Sequence, residues 1–447
     1  MRILLGNQID DTIRGVGDMS AAAQRVLWFA NDHDLLVLPT VPDPDYVAHV
    51  TGLTGTDPST LRVCVTPPDR HGGRLLDPQG LTDPDFLRTV AAGLDPEAVS
   101  EVFALWPSAS VARFADSLGI AHALPGAAFI AQGGGEPVNS KAFFRALAAG
   151  AGVAVAEGTV CHGRAEAEQA LAERIAQSGA AVVVKQAHNG SGNGNHIVFG
   201  GATADTGHAG ARHVSVLGSG PGEVREFWER QWSWASAGGR FPVVVEAYVP
   251  GAVSVYAEYR VTDDGVAHTG AGILGYADRL LDVQVVPLRP ADIGAEAHRL
   301  LLAQGERLAE TYRATGYRGH LSADAIVDTR GRIVFTEVNA HVSGSLHLYD
   351  AIAERLVGVS TYPERTVAEY EVPEQWGLRH VTDFVAGARA AGCLYDPSTR
   401  LGALVSTAPL WDEDGGAAFM FCLVYDTHER REDLRTRLAR EFTSRGG

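Results

Sequence analysis

Residues 320–344 read HLSADAIVDTRGRIVFTEVNAHVSG. Two alternating apolar runs flank Thr329-Arg330-Gly331-Arg332, a turn-forming sequence between antiparallel strands. With Arg330-Gly331 as a two-residue loop, Val327 pairs with Val334, Asp324 with Glu337 and Ser322 with Asn339. Paired residues share a face of the sheet, and every second residue returns to it. Two carboxylates directly opposite each other repel unless a cation lies between them. Asp324, Glu337 and Asn339 are therefore the expected metal ligands. Their oxygens suit Mg²⁺ or Mn²⁺, with phosphate oxygens completing the shell. A slip of one residue would break the alignment, so this reading depends on the turn.

The lysines point to the same chemistry. The chain has 37 basic residues, and only Lys141 and Lys185 are lysine. A coding bias toward arginine explains the general pattern. A position that keeps lysine against that bias needs a compact ammonium, which a planar guanidinium does not imitate. Lys185 ends the apolar run of VVVKQAHNGSGNGNHIVF, residues 182–199. Its glycines let backbone N–H groups fold over anionic oxygens. Lys141 falls in the first turn of a helix, where free N–H groups favour anions. Two other glycine-rich segments carry no such weight. Gly15-Val16-Gly17 lacks the third glycine of a dinucleotide fingerprint. The stretch from Gly135 has Ser140 and Ala142 where a P-loop needs glycine and a hydroxyl.

Length and composition set the frame. A chain of 447 residues exceeds one compact core, and 45% hydrophobic with 20% charged residues is an ordinary globular balance. A formal charge of −17 disfavours binding to nucleic acid or an anionic membrane. No apolar run is long enough to span a bilayer, and the first ten residues do not read as a signal peptide. Cys64, Cys161, Cys393 and Cys422 are scattered, which fits a reducing cytoplasm rather than a disulfide framework. Alternating strands and helices over residues 1–135 predict an α/β domain. The glycine-rich stretch 132–137 reads as a linker. Residues 136–371 carry the phosphate and metal motifs, and residues 372–447 read as a small α+β unit. Three tryptophans, Trp228, Trp232 and Trp234, read as packing residues of one helix.

In order and spacing, Lys141, Lys185 with its glycine loop, VVVEAYVPG at 243–251 and the Asp–Glu–Asn set ending in TEVNA resemble the ATP-grasp superfamily. The resemblance covers 136–371, and the preceding block looks like a pre-ATP-grasp domain. With its extra C-terminal unit, the layout is most similar to actinomycete peptide ligases of the pheganomycin type. The resemblance implies that Lys141 and Lys185 bind ATP phosphates and that Asn189, Gly190, Ser191, Gly192, Asn193 and Gly194 cover them. It implies that Val245, Glu246 and Val249 line the adenine site, and that Ser343 and Gly344 lie near an acylphosphate. Two departures stand out. Val253 occupies the place of a ribose-binding glutamate. Ser322 occupies the place of a phosphoryl-stabilising arginine, a role left to Arg260, Arg279 or His341.

The activity so implied is a carboxylate–amine (peptide) ligase, in peptide-antibiotic biosynthesis, that joins a small carboxylate donor to an amine or peptide acceptor. Glu258, His320 and His341 are the candidate acceptor bases. Arg260, Arg279, Arg289 and Arg318 are candidates to hold a carboxylate. Other ATP-grasp chemistry, with a thiol acceptor or phosphotransfer, and a nucleotide-binding regulator without turnover remain the alternatives. A homodimer is the default assembly.

Overall fold

The N-terminal alternation builds a parallel sheet. In the computed structural model, Arg62–Val65, Leu35–Leu38, Arg2–Leu5 and Glu101–Ala104 lie side by side in that order. The structure describes all residues except 8–17, 68–72, 179–180, 191, 202–207, 219, 221, 278, 412–416 and 446–447. Leu35–Leu38 is apolar at every position because both faces of the sheet are covered. Ile3 and Leu5 face Val111 and Phe114. Leu4 and Leu36 join Trp28 in a core that continues into the C-terminal part of the chain.

A five-stranded sheet follows, ordered Gly158–Cys161, Val243–Ala247, Val182–Gln186, Asn195–Gly200 and His213–Leu217. Helices Arg164–Ser178 and Glu223–Ala235 cover one face of it, burying Leu171, Phe227 and Trp228. Trp232 and Trp234 pack at the edge of this core, as a packing role requires.

The central sheet is antiparallel and eight-stranded. Its order is Ile333–Asn339, Gly319–Val327, Val253–Val261, Val266–Ala277, Leu280–Val286, Thr366–Glu371, Met420–Tyr425 and Gly402–Val405. Period-two alternation divides its faces. Val255, Ala257, Tyr259, Leu321 and Ala323 pack with Leu301, Leu308 and Tyr312 of the long helix Ala295–Ala314. The opposite face carries Tyr256 beside Asp324 and Glu258 beside Ser322. All four of these polar residues thus lie on the side away from the helix.

Two expectations about organisation change, and one strand goes beyond them. The twelve-residue strand Val266–Ala277 has a polar, glycine-containing first half, HTGAG, which hides its periodicity. Stretch 132–137 is not a loose linker. Gly135 is buried, and a Cβ there would lie 2.4 Å from the Pro107 carbonyl. The strands after residue 372 extend the central sheet through Thr366–Glu371 instead of forming a separate sheet. The N-terminal block also grips this part directly, because Trp28 Nε1 and Tyr46 Oη both donate to the Ser406 carbonyl at 2.8 and 2.9 Å. Among the described residues, no helix is long and apolar enough to cross a membrane.

Candidate active site

The hairpin 319–339 pairs Asp324 with Glu337 and Ser322 with Asn339, as the sequence predicts. It reaches this register by a different route. Val327 pairs with Ile333, not Val334, and the loop is the three residues Thr329–Gly331 with Gly331 at φ +78°. Asp328 pins the turn by accepting from the Arg330 and Arg332 backbone N–H groups at 2.8 and 2.9 Å. A bulge at Thr336 then inserts one residue between Phe335 and Glu337, and the two offsets cancel.

The paired carboxylates are held unequally. Asp324 accepts from Ser322 Oγ at 2.8 Å and from Asn339 Nδ2 at 3.1 Å. Burial and the facing Glu337 charge push its carboxyl well above the usual range. Burial would raise Glu337 as well, but Lys141 and Lys185 hold it below its ordinary value. Lys141 Nζ lies 2.6 Å from Glu337 Oε2 and donates to the Asn189 carbonyl at 2.5 Å.

Lys141 begins the helix Lys141–Gly150, capped by Ser140. Its own N–H is not free for an anion, since it donates to the Ala187 carbonyl at 2.8 Å. That bond docks the glycine-rich loop on the helix start. One turn along, Arg145 Nη1 pairs with Glu246 Oε2 at 2.7 Å. Lys185 Nζ pairs with Glu246 Oε1 at 2.5 Å and lies 3.4 Å from the bulged Thr336 carbonyl. Glu246 thus bridges two cations in the cavity wall. The spacing of four residues puts Lys141 and Arg145 on one helix face, the signal in the sequence that marks Arg145.

A cavity of about 430 Å³ lies between the five-stranded and central sheets. Lys141, Lys185, Glu246, Val249, Asp324, Glu337, Asn339, Ser343, Gly344 and Arg279 line it. So do Asn189, Gly190, Gly192 and Asn193 of the loop. Ser191 lies outside the described residues. Gly194 lies behind the loop, its carbonyl taken by the Gln186 N–H at 2.8 Å.

Besides Gly194, the expected residues Val245, Arg260 and His320 do not line the cavity. Val245 alternates with Glu246 along its strand, so its side chain points into the opposite, apolar core. Arg260 sits further along its strand, level with His320, and pairs with Glu101 of the N-terminal block at 2.9 Å. It lines a separate cavity of about 30 Å³. Arg289 and Arg318 are likewise engaged elsewhere, with Thr366 and with Asp263.

The inner wall holds residues that the sequence did not mark. Trp106 stacks on His341 with ring centroids 3.9 Å apart. Asn139 donates to the Gly135 and Ala340 carbonyls and accepts from the Ala340 N–H. This orients its Oδ1 to accept from His341 Nδ1 at 2.8 Å. Burial drives the His341 ring down to about 3, so it stays neutral. Tyr256 and Gln284 complete this end.

A profile described as the pre-ATP-grasp domain matches residues 23–120. Nearly the whole chain superposes on solved structures of low sequence identity. The chain has the ATP-grasp fold. Biotin carboxylase from Campylobacter jejuni is 12% identical with a TM-score of 0.58, covering 100% of this chain and 94% of that one. An ADP complex of N5-carboxyaminoimidazole ribonucleotide synthetase is 16% identical with a TM-score of 0.55, covering 99% and 97%. L-amino acid ligase from Bacillus licheniformis is 13% identical with a TM-score of 0.55, covering 99% and 98%. No curated protein matches the sequence significantly.

In this ATP-grasp chain the donor set fits a hard cation. Among the described residues no cluster of three or more His, Cys, Asp or Glu side chains converges. Two facing carboxylates with an amide oxygen left uncommitted at Asn339 need phosphate oxygens to complete a shell.

Proposed function

We propose that this chain is an ATP-dependent carboxylate–amine ligase, working through an acylphosphate and releasing ADP and phosphate. One observation carries the reading. Its only two lysines are both buried, and both line the cavity that holds the paired carboxylates Asp324 and Glu337. A buried ammonium is retained there because a phosphate chain replaces its present carboxylate partners.

Lys185 and Lys141 bind the triphosphate, and the 189–194 loop covers it. Val249 and the backbone beside Glu246 face the adenine. Asp324, Glu337 and Asn339 hold Mg²⁺, which when bound supplies charge neutralisation to the transferring phosphoryl group. A donor carboxylate attacks the γ-phosphorus. The cavity then keeps water from the acylphosphate until the amine arrives. Arg279 and His341, both of which line the cavity, are the candidates to contact the phosphoryl group. The name of the Bacillus licheniformis relative supports an amino acid as donor. The pheganomycin-type resemblance supports a peptide N-terminus as acceptor and a role in peptide-antibiotic biosynthesis.

The test is a hydroxylamine trap. Protein, ATP and Mg²⁺ are mixed with a panel of amino and guanidino acids plus hydroxylamine. ADP together with a hydroxamate from one acid is the expected result. AMP in place of ADP would mean adenylation and overturn the mechanism.

A further inference from the structure

The loop Ser343-Gly344-Ser345 forms the inner end of the cavity. Its two hydroxyls donate away from the cavity, and Ser343 Oγ in addition accepts the Ser345 N–H at 3.2 Å. Ser343 Oγ donates to Glu258 Oε1 at 2.6 Å. Ser345 Oγ donates to Gln284 Oε1 at 2.6 Å, and Gln284 Nε2 donates to Glu369 Oε2 at 3.2 Å. Burial would raise Glu369, but His347, Ser406 and Arg25 keep it ionised, below its ordinary value. A carboxylate only accepts, so it orients the Gln284 amide, which in turn orients the Ser345 hydroxyl. Both serine hydrogens therefore point away from the cavity. What the two hydroxyls offer the cavity is lone pairs, one at Ser343 Oγ, whose other accepts the Ser345 N–H, and those of Ser345 Oγ.

Behind this wall Glu258 is fully buried, with the Ser322 and Tyr349 hydroxyls beside its carboxyl as well as Ser343. Neither an ATP phosphate nor a donor carboxylate suits such a wall, because both are anions. An ammonium group, rich in N–H donors, does. Arg25 of the N-terminal block fixes the loop by donating to the Ser343 carbonyl at 2.9 Å.

We propose that Ser343 and Ser345 bind the ammonium group of the amine acceptor, and that Ser343 relays one of its protons to Glu258. This rests on the ligase reading above. An N–H proton passes to Ser343 Oγ as the serine hydrogen passes to Glu258 Oε1. The freed lone pair attacks the acylphosphate carbonyl carbon, the C–N bond forms, and the C–O bond to phosphate breaks. Phosphate leaves with that electron pair and takes a second proton from nitrogen. Glu258 later returns its proton to water through Ser343. Burial lifts the Glu258 carboxyl to about 7, which suits a base acting near neutral pH. Glu258 acts through Ser343 and is a positioning residue. Ser343 is the group that touches substrate.

The experiment compares two acceptors of similar size, hydroxylamine and ammonium chloride, with the donor acid that the trap identifies. At neutral pH hydroxylamine is mostly unprotonated, whereas ammonium must lose a proton before it attacks. Glu258→Gln should lower the ratio of primary amide to hydroxamate by about 100-fold. Ser343→Ala should lower the same ratio, which keeps the test open if one variant folds poorly. An unchanged ratio overturns the relay, whether both products persist or both fall together. Absence of any hydroxamate from the wild-type protein would remove the ligase reading, and the relay with it.

Discussion

Replacing Lys185 by arginine keeps the charge and changes only the shape of the group that carries it. Lys185 Nζ already sits 2.5 Å from Glu246 Oε1 and 3.4 Å from the Thr336 carbonyl, in a side chain almost fully buried. The other oxygen of Glu246 is taken by Arg145. A bulkier guanidinium must displace one of these neighbours, and overpacking of this kind costs about 1–3 kcal/mol of stability. For a chain of 447 residues the melting temperature should fall by about 1–3 °C. A guanidinium pushed off line no longer aims a donor at the phosphates. Losing one charge-assisted hydrogen bond in the transition state is worth about 1.5–3 kcal/mol, or roughly 10- to 150-fold in kcat/KM. The assay is ADP release in the hydroxylamine trap, with a thermal melt run on the same sample. Lys185→Met serves as the control, since it fits the space and carries no charge, and it should lose at least as much activity. Wild-type kcat/KM in Lys185→Arg would refute the reasoning. Lysine at this position would then be an accident of composition, and Glu246 would be its only partner of consequence.

Further outcomes follow from the same geometry. Glu337→Gln should move the Mg²⁺ titration of ADP formation to higher concentration by about 10-fold or more, and an unchanged titration would remove Glu337 from the metal. Because burial lifts the folded-state carboxyl of Glu258 to about 7 from its ordinary 4.5, the folded protein keeps a proton that the unfolded chain releases. Stability from this group is therefore fully present below pH 4.5 and lost as pH rises through about 7. By linkage Glu258→Gln should gain up to about 3 kcal/mol on wild type between pH 5 and pH 8, read from denaturant midpoints. His49 runs the other way. Its Nε2 accepts the Val405 N–H at 3.1 Å, and burial lowers its pKa to about 4 from 6.5. The unfolded chain takes up the proton first on acidification, so stability falls from about pH 6.5 toward 4. His49→Gln should flatten that part of the pH–stability curve, and an equally steep curve would show that other groups dominate it.

The sequence by itself determined most of the charged and polar groups that line the cavity. Two lysines among arginines, a glycine-rich loop and three oxygen ligands on alternate positions need no tertiary information, because residue type and a period of two residues set them. The same alternation was enough to exclude Val245 from the cavity once Glu246 was placed in it. Other assignments depended on the assembled chain. The hairpin loop is one residue longer than the sequence suggests, and the Thr336 bulge compensates. A local pattern cannot show a bulge, which forms where the sheet and Lys185 meet. Arg260 was assigned by residue type, but its position along the strand brings it to Glu101, some 160 residues away in the chain. The acceptor wall is the clearest case. Glu258, Gln284, Ser343 and Glu369 come from four separate segments, and Arg25 and Ser406 from two more. Each alone is an ordinary polar residue. Only when they are buried together does each hydrogen bond constrain the direction of the next, because desolvation leaves no water to satisfy a misdirected donor.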